Sequence, residues 1–210
     1  MSVPDQATEL RLRRRPTQDR SVATFDLILD TTATLLDTHG FDALTTNLVA
    51  EESGTSIRAI YRYFPNKHAI VGELARRMEH QWKSALASAG DLGDPAQPWR
   101  DVWCAYIDAF VLAVRSSNGA IAVLAAMRAD PQLRKIDEEA NAGYTDDITA
   151  ALLSRGRVGS ASEARAIATV LMRSTVAVLD EAFEAGSDEA DRLIATMKNM
   201  HIGLLSDYLD

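Results

Sequence analysis

The sequence predicts an all-α protein of about nine helices, a small N-terminal helix-turn-helix unit on a larger C-terminal bundle. Three observations carry that reading. Apolar residues recur at three- and four-residue spacings through most of the chain, the repeat of one buried helix face. No segment shows the alternation of a half-buried strand. Short clusters of Gly, Pro, Ser and Asn punctuate the periodic segments, where a helix has to stop and the chain turn.

Residues 21–39 place Phe25, Ile28, Leu29, Ala33, Leu35 and Leu36 on one helical face, and Gly40 follows as a stop. The stretch "TTNLVAEES" reads as a helix of about two turns that Thr45 or Thr46 can cap. Gly54 ends it, because glycine readily takes the left-handed backbone of a tight turn. Ser56 caps the next short helix, "SIRAIYRY", which stops ahead of Pro65. Asn66 can cap a long helix from Lys67 to about Ala89. Beyond the connection "GDLGDPAQP", apolar stripes predict helices near 97–116, 118–129, 131–154, 161–185 and 188–209. The expected organisation is a basic N-terminal arm at 1–20, a helix-turn-helix domain at 21–66 and a ligand-binding and dimerisation domain at 67–210.

With 47% hydrophobic and 25% charged residues, the chain has an ordinary globular composition. The single cysteine, Cys104, excludes an intramolecular disulfide and suits a reducing compartment. The polar N-terminus lacks the apolar core of a signal peptide, and no apolar run approaches the ~20 residues of a membrane span. A cytoplasmic protein with no membrane partner is expected. The net charge of −8 alone argues against nucleic acid, but the charge is unevenly placed. Residues 1–20 hold five arginines against three acids, and residues 55–77 hold five cations against Glu73 alone. Such local concentration on an acidic chain is the footprint of a nucleic-acid surface.

The second short helix explains the clustering of aromatic and basic residues there. Ile60 and Phe64, four apart, can face inward with Leu44 and Val49, which leaves Ile57, Arg58, Tyr61 and Arg62 largely on the other side. A tyrosine can rest its ring on protein while its hydroxyl reaches a phosphate, as Tyr61 and Tyr63 are placed to do. Lys67 adds its charge to the positive start of the long helix. Arg58 or Arg62 has the donor geometry to read guanine. The cluster reads as a DNA-docking surface, the alternative being a solvated cationic face beside core aromatics.

The ordered motifs Gly40-Phe41, Thr45-Thr46, Val49-Ala50, Ser53-Gly54-Thr55-Ser56, Tyr61-Arg62-Tyr63-Phe64 and Pro65-Asn66-Lys67 resemble the TetR family of bacterial transcriptional regulators. The resemblance runs from about Phe25 to Leu74. It implies that Thr46 and Asn47 lie near the DNA backbone, that Tyr61, Tyr63 and Lys67 clamp phosphates, and that Ile57, Arg58, Ala59 and Arg62 face bases. With the capping residues Thr45 and Ser56, these form the candidate DNA-contact set. Arg58 departs from the small residue the family often has at that position.

The resemblance also implies a small-molecule inducer bound in the C-terminal bundle and a dimer built on the last two helices. Candidate ligand contacts are the aromatic stripe Trp99, Trp103, Tyr106 and Phe110, the adaptable fillers Met127 and Met172, and the polar Asn141, Tyr144 and Arg173. Core packing is the competing explanation for the stripe. Arg173 interrupts an apolar run and needs either an acid across the bundle or an anionic ligand. For the dimer interface, Leu171 and Val178 stand on one stripe, and Leu193, Met197, Met200, Leu204 and Tyr208 on another.

No Walker loop, GxSxG, GxGxxG or HExxH is present, so neither catalysis, a cofactor nor a metal is expected. The expected function is a homodimeric repressor released from a palindromic double-stranded operator by a small, mostly apolar ligand. A regulator that activates or lacks an inducer, and an all-helical small-molecule binder or enzyme, are the alternatives.

Overall fold

A computed structural model describes residues 10–210 and contains nine helices and no strand among them. They are α1 (Asp19–Ala43), α2 (Thr46–Glu52), α3 (Ile57–Tyr63), α4 (Lys67–Ala87), α5 (Trp99–Ser116), α6 (Ala120–Ala129), α7 (Pro131–Ser154), α8 (Ala161–Glu184) and α9 (Ser187–Leu209). The expected stops fall where the breaks in periodicity place them. Within α1 the helix breaks at Gly40, whose backbone is at φ 73° and ψ 173°. None of the described helices is by itself long and apolar enough to cross a membrane.

The chain forms two compact units. One comprises the described residues up to Gln81 together with Val114–Glu138, the other Trp82–Ala113 with Glu139–Asp210. This division differs from a boundary at residue 67. Ala69, Ile70, Val71 and Leu74, on the first turns of α4, are wholly buried, and a helix start with no solvent face there belongs to the core of the helix-turn-helix. Three helices, α4, α5 and α7, each pass from one unit into the other.

In the first unit, Ile28, Leu29 and Leu36 of α1, Val49 of α2, and Ile60 and Phe64 at the end of α3 are almost fully buried. Burying each such side chain contributes ~1.5–3 kcal/mol. The Phe25 ring stacks on Phe64 with centroids 4.9 Å apart, which fixes the end of α3 against α1. The helix α6 also lies on α1, and Gly119 permits the approach. A Cβ on Gly119 would sit 2.4 Å from the Ala33 carbonyl oxygen, closer than any contact allows. Across this unit, Arg77 pairs with Asp30 at 2.6 Å and His68 with Asp130 at 3.1 Å.

The second unit packs α5, the end of α4, most of α7, and the α8–α9 pair. Its core combines Trp103, Ile107 and Val111 of α5, Ile148 and Leu152 of α7, Ile167, Leu171 and Leu179 of α8, and Ile194, Met197 and Leu205 of α9. Ser160 caps α8 by accepting the Glu163 amide N–H at 3.2 Å. The C-terminus is tied back by Arg100, paired with Asp210, and by Trp99, whose Nε1–H donates to Asp210 Oδ1 at 3.2 Å. Leu171 and Met197 are therefore not free for a partner subunit: they are 0% and 2% exposed inside their own chain.

Candidate functional site

The helix-turn-helix forms as the caps dictate. Thr45 accepts the Leu48 amide N–H at 3.1 Å and Ser56 accepts that of Ala59 at 3.1 Å, each satisfying a donor that a helix start leaves unpaired. Between the two helices Gly54 sits at φ +63°, and a Cβ added there would meet nothing within 4 Å, so the backbone conformation rather than space requires glycine. Ser53 and Thr55 hydroxyls, 2.8 Å apart, brace the same turn.

This geometry sorts the candidate contacts. Asn47, Ile57, Arg58, Tyr61 and Arg62 are exposed together, with Thr46 and Ala59 half-buried beside them. Thr46 Oγ1 and the Tyr61 hydroxyl share a hydrogen bond of 3.2 Å, which joins the start of α2 to the outer face of α3. Tyr63 takes a different place. Its ring is 3% exposed and meets Phe25 edge-on at 5.6 Å, so it supports α3 from behind rather than standing beside Tyr61. Lys67 is also committed within the protein. Its Nζ donates to the Phe41 carbonyl at 2.9 Å and lies 4.3 Å from the centre of the Phe41 ring, tying the start of α4 to the broken end of α1. The stretch before α1 is engaged too: Leu10 is buried and the Arg13 amide N–H donates to the Tyr63 carbonyl at 2.8 Å. Residues 1–9 of the expected arm lie outside the described residues.

The second unit holds an apolar cavity of about 40 Å³. Five of the expected contacts wall it: Trp103, Tyr106, Phe110, Tyr144 and Met172. Leu86, Ile107, Ile148, Thr175 and Leu179 complete it, residues that stripe reasoning could not single out from ordinary core positions. An open cleft of about 390 Å³ adjoins it, walled by Lys83, Asp91, Asp147 and others, with Leu86, Tyr106 and Tyr144 in both linings. Burial, and secondarily the charge of Asp147, pushes the Tyr106 phenol up to about 12.

Four expected ligand contacts lie elsewhere. Trp99, bound to Asp210, is not in the cavity wall and lines a second apolar crevice with Leu152 and Leu205, which shares Trp103 and Ile148 with the cavity. Met127 is buried in the first unit. Asn141, half-buried, is outside the cavity walls. Arg173 is exposed: two residues beyond Leu171, it is turned by ~200° from the buried stripe of α8. Sequence reasoning gave His201 no site role; it is 1% exposed, shares a 2.8 Å hydrogen bond with Ser174 Oγ and meets Trp103 edge-on at 5.6 Å. Ser174 already donates to the Val170 carbonyl at 2.7 Å, so His201 Nε2 is the donor to Ser174. That leaves Nδ1 an acceptor with no partner among the described residues.

Residues 28–74 match the family model described as bacterial regulatory proteins, tetR family. Residues 98–205, more than half of the chain, match the model of the tetracyclin repressor-like C-terminal domain. The chain belongs to the TetR family and is a DNA-binding transcriptional regulator, a family of regulatory proteins and not of enzymes. It is 42% identical over 53 residues to the HTH-type transcriptional repressor KstR of Rhodococcus jostii (strain RHA1). That match spans about a quarter of each chain, 25% of this one and 25% of the relative. Among solved structures, a TetR-family transcriptional regulator from Streptomyces coelicolor superposes with a TM-score of 0.67 at 22% identity, covering 88% of this chain and 99% of that one. SmeT, the repressor of the Stenotrophomonas maltophilia multidrug efflux pump SmeDEF, gives 0.69 at 18% identity over 89% and 92%. A SmeT–triclosan complex gives 0.65 at 17% over 87% and 91%. At such identities these likenesses show the fold.

Proposed function

We propose that the protein is a repressor that binds a palindromic operator as a homodimer and releases it when a small, mostly apolar ligand enters the second unit. The observation that carries the reading is the course of α4. It begins just after the recognition helix α3 and ends with Leu86 in the wall of both cavity and cleft. A ligand that favours one position of Leu86 and its neighbours biases the whole helix, and lowers operator affinity by its differential affinity for the two states. The names of the matched repressors and the triclosan complex of SmeT support a ligand-released repressor by analogy.

Asn47, Ile57, Arg58, Tyr61 and Arg62 are the proposed DNA contacts, with Thr46 aligning Tyr61 and Ser56 and Thr45 holding the two helix starts. Two copies of α3 enter successive major grooves when they sit about one helical turn apart. The dimer surface is proposed on α8 and α9, where Val170 and Met200 are 55% and 51% exposed. Val178, Leu193, Leu204 and Tyr208 pack against the core at the edge of that face. These replace Leu171 and Met197 as interface residues.

The test is selection of bound fragments from genomic DNA, footprinting of the selected site, and titration of the complex with salt and compounds. A symmetric footprint and steep salt dependence are expected, because phosphate contacts release counterions. A compound that shifts tryptophan emission is expected to lower DNA affinity in parallel, with both effects weakened in Trp103→Ala. Failure to retain any fragment would overturn the reading.

A further inference from the structure

Resting on the ligand-responsive reading above, we propose that the ligand is a cationic amphiphile, its apolar end in the inner cavity and its positive end in the adjoining cleft beside Asp147. The inner cavity alone is too small for such a ligand. The inner cavity of about 40 Å³ has room for only a few waters, each taking roughly 10–15 Å³ on that measure. The cleft, about 390 Å³, reaches the ~300–1,000 Å³ range of ligand sites. Leu86, Tyr106 and Tyr144 belong to both walls, so three side chains make the partition, and their rotation joins the spaces.

Polarity assigns the orientation. The inner walls carry no formal charge, and the hydroxyl of Thr175 is already given to the Leu171 carbonyl at 2.8 Å. A charge placed there would exchange its hydration for neutral wall groups only. All formal charge is at the cleft, in Lys83, Asp91 and Asp147, two carboxylates against one ammonium. Asp91 accepts the Gly93 amide N–H at 2.8 Å. Asp146, the neighbour of Asp147, is turned to Arg165 at 2.5 Å, whereas Asp147 faces the cleft. The aromatic partition suits a cation as well: Lys83 Nζ lies 5.4 Å from the Tyr144 ring centre, so that ring already receives an ammonium. Tyr106, kept neutral beside Asp147, presents a second ring.

The experiment is calorimetric titration of the full chain with decyltrimethylammonium, decanol and decanoate. The ammonium is expected to bind at least about fivefold more tightly than the alcohol, with the carboxylate weakest, and Asp147→Asn to remove most of that advantage. Met172→Trp, which fills the inner cavity, should abolish binding of all three while helicity stays unchanged, and Leu179→Phe takes its place if that variant does not fold. Tightest binding by decanoate, or an unchanged ranking in Asp147→Asn, overturns the charge assignment alone. Equal binding by the wild type and the filled variant overturns the cavity reading itself.

A separate observation concerns the stretch ahead of α1. The Arg13 amide N–H donates to the Tyr63 carbonyl at 2.8 Å, and its guanidinium to the Tyr61 carbonyl at 3.1 Å. Both are last-turn carbonyls of α3, which the helix leaves without partners, and a cation at a helix C-terminus is favoured. Leu10, buried, and Arg15, paired with Glu73 at 3.2 Å, anchor the strap on either side. We infer that Arg13 is a positioning residue that sets the recognition helix through its carbonyls, not a phosphate contact.

On a duplex selected by the wild type from a randomised pool, Arg13→Ala is expected to lower affinity about fivefold. The slope of log affinity against log salt should stay unchanged, since no phosphate contact is lost. Arg13→Lys, which keeps the charge, should recover part of the loss. A fall in slope of about 0.9, the signature of one lost phosphate contact, or an unchanged affinity would overturn the assignment.

Discussion

His201 shows how much one buried side chain can control. Burial lowers its folded-state pKa from the ordinary 6.5 to about 4, so the unfolded chain binds the proton more tightly. Its neutral form therefore stabilises the fold fully above about pH 6.5, and that stabilisation is lost as pH falls from there toward 4. The whole effect is roughly 3 kcal/mol. Denaturant titrations at stepped pH are expected to show this loss, and His201→Gln to flatten it; an equally steep decline in the variant would assign the acid sensitivity elsewhere. Arg58 poses a different question, being exposed beside Ile57 and Arg62. If it reads a base, Arg58→Ala is expected to flatten preference at one operator position by ~1–3 kcal/mol, measured by binding to a panel of substituted duplexes. Lys67→Ala, by contrast, should leave the ranking of duplexes unchanged and lower stability by about 1 kcal/mol, read as a lower thermal midpoint, because the Phe41 carbonyl keeps only the Leu44 N–H as donor.

Among the elements, α3 depends most on its ends. Seven residues are too few to hold a helix in water without tertiary support and caps. Ser56→Ala removes the acceptor for the Ala59 N–H and is expected to cost about 1 kcal/mol, read as a lowered midpoint in thermal unfolding. Gly54→Ala forces a side chain into the left-handed region and should cost a similar amount. If either variant unfolds at the wild-type midpoint, the recognition helix is held by its packing alone. The sequence made these elements legible because their signals are local: Thr45, Gly54, Ser56 and Pro65 act within one turn of where they stand. The helices of the second unit were legible from periodicity for the same reason. Their facing directions were less so, since a stripe such as Trp99, Trp103, Tyr106 and Phe110 looks alike whether it meets core or cavity.

For the whole molecule, the proposed dimer face on α8 and α9 gives the clearest expectation. Val170 and Met200 are exposed in the single chain, and a stable obligate interface buries ~2,000 Å² or more. Met200→Glu places an unpaired charge in such a seam and is expected to give folded monomers in sedimentation velocity while the wild type stays dimeric. Because Met200 has a free surface in the monomer, the substitution leaves the subunit core intact. A wild-type monomer, or a dimeric Met200→Glu variant, would move the interface to another face.

By itself the sequence determined the all-α class, the order and limits of the helices, and the helix-turn-helix with its basic and aromatic face. Each of these rests on spacing, caps and turn residues that act over a few positions. Only the tertiary structure decided which of the marked side chains meet. It drew Trp103, Tyr106, Phe110, Tyr144 and Met172 around one cavity, and set Trp99 on Asp210 and Met127 in the other unit. It turned Arg173 to solvent and buried Tyr63, Leu171, Met197 and His201. The physical reason is that burial is a property of what packs against a residue, and those neighbours lie on other helices, tens of residues away along the chain.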